Sequence, residues 1–165
     1  MFCSVACKLS GLENCSHIAS ACSMFQESYI YDFPEDADFS NVKNAEKMFD
    51  HAKISFGNAT DSRFKLTDFK SVENGKYMFS YCRDCQGHMA AFDMDALDIR
   101  NLKYGYRMFY CETITRMTSF KLQHLENAQE MFDCASFSAA KINEISLPAA
   151  TDVRGFMCSV ERSAN

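Results

Sequence analysis

The 165-residue sequence has no tryptophan, two prolines and six glycines, and its 17 Lys and Arg are outnumbered by 22 Asp and Glu. So few glycines leave little room for a phosphate-cradling loop, and no Gly-rich loop occurs. A net charge of -5 supplies no broad basic field to neutralise phosphates or anionic lipid, which argues against nucleic acid and membrane surfaces as ligands. No run approaches the roughly 18 apolar residues of a membrane span. The first fifteen residues, Met1 to Cys15, lack the basic start and apolar stretch of a secretory signal, so the sequence predicts a cytoplasmic protein. Nine cysteines are an odd number, and a reducing compartment makes thiols the simpler expectation.

What is plentiful is Phe (15), Met (10) and Cys (9), a bias that points to something repeated. A Met-Phe pair recurs at Met24-Phe25, Met48-Phe49, Met78-Phe79, Met108-Phe109 and Met131-Phe132, and a reversed Phe156-Met157 closes the series, at intervals of 24, 30, 30, 23 and 25. Around each pair lies a longer box, for example Val42-x-x-Ala45-x-x-Met48-Phe49 and Leu102-x-x-Gly105-x-x-Met108-Phe109. Apolar or small residues at i, i+3, i+6 and i+7 share one helical face, so each box is expected to be a short helix on a core. Upstream of the later boxes, Phe64-Lys65-Leu66, Phe92-Asp93-Met94, Phe120-Lys121-Leu122 and Ile145-Ser146-Leu147 alternate apolar and polar residues, the period of a strand. The expected fold is α/β: a solenoid of five to six strand-plus-short-helix turns with a single parallel sheet. One repeat domain covers 1–165, with a degenerate N-terminal cap at 1–17, repeats at 18–158 and a short tail at 159–165.

The boxes resemble the BspA-like leucine-rich repeats, whose units end in a motif close to N-x-x-x-M-F-x-x-C. Asn44, Asn74 and Asn127 stand four residues before the Met, with Asp152 at the matching place, while Ser20 and Tyr104 depart from the pattern. Cys82, Cys111, Cys134 and Cys158 follow the pair. The resemblance implies a leucine-rich-repeat solenoid and, because that family is common in surface proteins that contact host or matrix, a fragment of such an adhesion protein as one possible origin.

The Met-Phe column is expected to be core, and the Asn column a ladder of side-chain amides bonded to the backbone of its own turn and the next. Cys82-x-x-Cys85-x-x-His88 is the sharpest metal candidate, because two thiolates and an imidazole at that spacing can share a zinc ion and support a zinc-dependent activity. A fourth ligand is missing locally, and a buried thiol is the simpler reading of Cys82. The four histidines share no motif, so neither a catalytic set nor a cofactor is expected. The outward strand positions Arg63, Lys65, Asp93, Asp95, Lys121 and Gln123 are expected to line one continuous face that binds a partner, with the loop aromatics Tyr29, Tyr31 and Phe33 as a second surface. The expected function is a non-enzymatic protein-binding module, possible forms being a small blocking or inhibitor protein such as a phage or mobile element would encode. Exposed stack ends leave room for oligomers.

Overall fold

The computed structural model describes residues 6–8, 15–32, 37–54, 69–84, 86–137 and 142–162. The chain winds as a solenoid whose successive coils lie parallel and in register. One bridge column runs the length of the stack, Ser20 to Asn44 to Asn74 to Tyr104 to Asn127 to Asp152, so the positions aligned in the sequence are stacked in space.

The boxes themselves are not helices, and among the described residues there are none. Each box is a chain of tight turns whose backbone amides alternate between two destinations. In the third box Met78, Ser80 and Cys82 donate back three residues to the carbonyls of Gly75, Tyr77 and Phe79, at 3.0, 3.2 and 3.2 Å. The intervening amides of Gly75, Tyr77, Phe79 and Tyr81 donate to Tyr104, Tyr106, Met108 and Tyr110 of the next coil, at 2.8, 2.9, 3.0 and 3.2 Å. A helix would send every amide to the carbonyl four residues back. The turns also require left-handed backbone, and it falls at two fixed places: Ser23, Lys47, Tyr77, Arg107, Glu130 and Gly155 in one column, and Glu27, His51, Tyr81, Cys111, Cys134 and Ser159 in another. Apart from Gly155, those are all the non-glycine residues with positive φ among the described ones, from 51° to 62°. The expectation of helices is thus corrected, and the reason is geometric: turns closed by i to i+3 bonds return the chain to the same side every three residues, as a helix does.

The strands are short and form more than the single sheet expected. β1 (Ala6–Lys8), β2 (Tyr29–Asp32), β3 (Lys53–Ile54) and β4 (Arg83–Asp84) make one parallel sheet in that order. β5 (Ala91–Asp93), β6 (Thr113–Arg116), β8 (Ser136–Phe137) and β10 (Glu161–Arg162) make a second, and β7 (Ser119–Lys121) pairs with β9 (Glu144–Ser146) alone. The break between the first two sheets is a hairpin. After β4 the chain doubles back, with the Asp84 amide on the His88 carbonyl, the Ala90 amide on the Cys82 carbonyl, and Arg83 bridging Met89 antiparallel. The Thr113 amide of the next coil then bonds Ala90 instead of Cys82. This excursion accounts for the spacing of 30 between Met78 and Met108, against 23 in the coil that follows.

Inside, the Phe residues of the boxes form a stack, as expected. Successive ring centroids from Phe25 through Phe49, Phe79 and Phe109 to Phe132 are 5.3, 5.7, 5.6 and 5.3 Å apart and within 20° of parallel. Met48, Met78, Met108 and Met131 are fully buried beside them. The small residues of the box make room for the methionines of the next coil: a Cβ on Gly75 would lie 3.0 Å from the Met108 sulfur and 2.9 Å from Leu102, and one on Gly105 3.1 Å from the Met131 sulfur. Phe39, Phe69, Ile99 and Leu122 close the core on its far side. In the last coil Ile145 and Val153 stay exposed.

The asparagine column is structural, with a different bond pattern from the one expected. The Asn44, Asn74 and Asn127 side-chain oxygens accept the amides of Glu46, Lys76 and Gln129 two residues on, and Asp152 does the same for Arg154. Each side chain closes its own turn, while the Asn74 amide reaches Glu46 of the neighbouring coil through its carboxylate, not through backbone. Two asparagines three residues earlier do bond backbone of the neighbouring coil: Asn41 to the Ser16 carbonyl and Asn101 to that of Lys70, at 2.7 and 2.8 Å.

Candidate interaction surface

The alternation of turns that buries Met and Phe turns the residues between them outward, and stacking sets these in columns one strand spacing apart. Five of the seven tyrosines, Tyr77, Tyr81, Tyr104, Tyr106 and Tyr110, fall on this outer face of the third and fourth boxes. Tyr77 packs edge-on to Tyr106 at 5.0 Å, His51 lies 4.7 Å from Tyr81, and Tyr81 5.3 Å from Tyr110. Cations cover the rings: Arg107 sits 5.4 Å over Tyr106 and 4.7 Å over Tyr110, Lys47 5.6 Å over Tyr77, and Lys76 5.3 Å over Tyr104. Arg107 is anchored in turn by Glu130 of the next coil, whose carboxyl this hydrogen bond holds below its usual range.

Three phenols of this face, those of Tyr77, Tyr81 and Tyr110, are pushed above their ordinary range. Burial, followed by the hydrogen bond with Tyr106, pushes Tyr77 up to about 12. Tyr110 is raised by its hydrogen bond with Cys134 and by burial, and Tyr81 by its bond with Cys111. The result is a rigid, half-buried aromatic and cationic sheet of side chains with hydroxyls at its surface.

The residues nominated from sequence are distributed otherwise. Arg63, Lys65, Phe33 and Cys85 lie outside the described residues. Asp93 belongs to β5, in a different sheet from Lys121 on β7. The hairpin places β5 in the sheet built by the segments that follow each box. The charges there are also engaged across coils. Arg116 bonds Asp93 at 3.2 Å and approaches Asp95 at 3.7 Å, Asp95 holds the amide and hydroxyl of Thr118, and Lys121 pairs with Glu144 at 2.7 Å. Gln123 is exposed beyond β7. Tyr29 and Tyr31 are exposed on β2, with Lys53 5.1 Å over the Tyr29 ring.

The cysteine positions also separate. Cys82 is fully buried eight residues past the bridge column, and burial pushes its thiol well up; Cys111 and Cys134 stand seven past it and face outward. A one-residue offset thus turns the side chain from core to surface. His88 bonds Asp84 at 3.1 Å within the hairpin, away from the Cys82 core position, and among the described residues no group of three His, Cys, Asp or Glu could hold a metal ion.

A second surface runs along the corner before each box, where Lys43, Glu73, Lys103 and Glu126 alternate in sign from coil to coil and Lys103 pairs with Glu73 at 2.8 Å. With Ser71, Asn101 and His124 the first three of these line a shallow groove of about 480 Å³. Its charges neutralise one another along the stack.

The tyrosine face was legible only after alignment: Tyr77 and Arg107 share a column, as do Lys76 and Tyr106, and the signal that finds them is the residue type between the apolar positions. No helix among the described residues is long and apolar enough to cross a membrane. No curated protein and no solved structure matches the chain. The sequence profile of one family, described as Mycoplasma protein of unknown function, DUF285, matches residues 14–146, and the chain belongs to that family.

Proposed function

We propose that the chain is a non-enzymatic protein-binding module whose contact surface is the tyrosine face of its third and fourth boxes. The observation that carries this reading is the concentration of Tyr77, Tyr81, Tyr104, Tyr106 and Tyr110 with Arg107 on one side of a rigid stack. Tyr and Arg are the residues most enriched among binding hot spots, and each supplies a large contact area. Here the rings are already ordered by their neighbours in the ladder, so little side-chain freedom is lost on docking. The strand-side charges at Asp93, Asp95 and Lys121 would contribute less, because each already has an ion-pair partner. The exposed Tyr29 and Tyr31 form a smaller patch in another part of the stack.

Affinity capture from the source cell tests this. Wild-type protein and a Tyr106→Ala/Arg107→Ala variant of unchanged circular dichroism are used as baits, with Tyr31→Ala as a control. A protein retained in stoichiometric amount by the wild type and the control, and lost with the double variant, supports the assignment. Equal retention by the double variant removes it.

A further inference from the structure

Six cysteines, Cys15, Cys22, Cys82, Cys111, Cys134 and Cys158, have described side chains. On the frame of the bridge column they occupy different places. Cys22 stands two residues past Ser20, Cys82 eight past Asn74, Cys158 six past Asp152, and Cys15 before the box. Of these six, only Cys111 and Cys134 share a place, seven residues past Tyr104 and Asn127 in adjacent coils. The ladder holds them in register through the bonds from Phe109 to Met131 and from Cys111 to Asp133, at 2.9 and 3.0 Å. Neighbours in such a ladder are about 4.8 Å apart, inside the Cα window of about 4.4–6.8 Å that a disulfide spans. The two backbones share the same left-handed conformation, with φ of 62° and 58°, so both side chains leave the coil in one direction, and the Cys134 sulfur reaches the hydroxyl of Tyr110, the residue before Cys111, at 3.9 Å. Cys134 is exposed and Cys111 half-buried.

We propose that Cys111 and Cys134 form a thiol–disulfide exchange site for low-molecular-weight disulfides, which oxidise the pair to a disulfide joining two coils. The Cys134 thiolate, the more accessible, attacks one sulfur of the small disulfide; a mixed disulfide forms and one small thiol departs, taking up a proton. Cys111 then gives up its proton and attacks the Cys134 sulfur, forming the bond between coils and releasing the second small thiol. Two protein thiols are oxidised and one small disulfide is reduced to two thiols, so electrons and protons balance. Burial raises the Cys111 thiol and so lowers its thiolate fraction, a cost that proximity offsets in the second, intramolecular step.

The reaction also consumes the thiols that bond the Tyr110 hydroxyl, 3.9 Å from the Cys134 sulfur, and the Tyr81 hydroxyl. Oxidation would therefore free two phenols on the tyrosine face. That consequence rests on the proposed binding role, whereas the exchange chemistry stands without it.

The test is incubation of the reduced, folded protein with glutathione disulfide, followed by mass spectrometry of tryptic peptides, which separate at Arg116 and Lys121. The expected product is a cross-link between the Cys111 and Cys134 peptides at low protein concentration, unchanged in Cys22→Ser. In Cys111→Ser, glutathione should remain trapped on Cys134. Stable glutathione on both cysteines of the wild type, a Cys134–Cys158 cross-link, or no reaction at Cys134 overturns the proposal. None of these outcomes depends on whether a partner protein is found.

Discussion

Glu112 accepts the backbone amide of Cys82 at 2.6 Å inside the core, and its second oxygen has no partner among the described residues. The carboxyl occupies the box position filled by Ala52 and Ala135 in other coils, beside the mouth of the hairpin, where the Ala90 amide also faces it. Burial raises its pKa well above the usual value, outweighing those amide bonds. The fold therefore holds this proton more tightly than the unfolded chain does. The resulting stability is fully present below the unfolded carboxyl pKa and is lost as pH rises towards the folded one. Glu112→Gln keeps an acceptor for the amides and removes the ionisation, so it should raise stability at neutral pH by about 1–3 kcal/mol, the scale of a buried unsatisfied polar group. Urea unfolding from pH 4 to 8 checks it: the gain should grow with pH. A variant that is less stable than wild type at pH 8 would show that the carboxylate itself is what the hairpin needs.

The Phe109 ring has neighbours on every side, with Phe79 and Phe132 stacked above and below and Phe92 edge-on at 5.2 Å. Phe109→Ala should cost about 3–5 kcal/mol, since a stack held from both directions collapses poorly into the cavity. Phe109→Leu should cost less. Because each coil packs only on its neighbours, the damage should also be local: hydrogen exchange is expected to quicken in the coils around Phe109 before those at Phe25. Uniform acceleration across the molecule would show that the stack unfolds only as a whole.

Left-handed residues bear on stability in a way that surface exposure alone does not reveal. Lys47 has φ of 55° and its amide bonds the Lys76 carbonyl at 2.8 Å, so its conformation is imposed by the ladder. Lys47→Gly removes the Cβ penalty and should come out neutral to stabilising by up to about 1 kcal/mol, whereas a β-branched Val at the same place should destabilise by about 1–2 kcal/mol. Thermal melts of the two variants distinguish this from a side-chain effect, under which both would lose the cation over Tyr77 alike and shift together.

How much of this could be seen in the residues alone follows from which signals are ambiguous. The Met-Phe spacing carries the solenoid and its core, because a residue buried in every coil must recur at the coil length. It does not carry the box conformation: Gly75, Met78 and the flanking apolar residues return to one side every three residues in a helix and in linked turns alike. The strand at Phe120 and Leu122 was readable from alternation, with both side chains buried as expected. The sheet to which each strand belongs was not, because the hairpin after Arg83 and Asp84 moves the next strand into a different sheet. The cysteines are ambiguous for a simpler reason. Counting them as one motif position hid the offset that sends Cys82 inward and Cys111 outward, and counting tyrosines only in the long loops passed over Tyr77 and Tyr106.

Arg107 ties two coils of the tyrosine face together, and its parts can be measured separately. The guanidinium lies between the Tyr106 and Tyr110 rings and donates to Glu130, with roughly a third of its side chain exposed. An exposed ion pair contributes about 0–1 kcal/mol, and a cation over an aromatic ring at such a site about 0.5–1 kcal/mol. Arg107→Lys retains the charge and loses the planar contact with both rings, so most of the loss seen in Arg107→Ala should already appear in the lysine variant. A double-mutant cycle with Glu130→Gln should give a coupling below about 1 kcal/mol that shrinks as salt is added, because solvent screens the pair. The hydrogen bond lowers the Glu130 pKa, so the pair's contribution is present above the unfolded carboxyl value and is lost as pH falls through the folded one. A coupling that persists unchanged in high salt would mean that Arg107 holds the face through its ion pair more than through the rings, and Arg107→Lys would then be nearly silent.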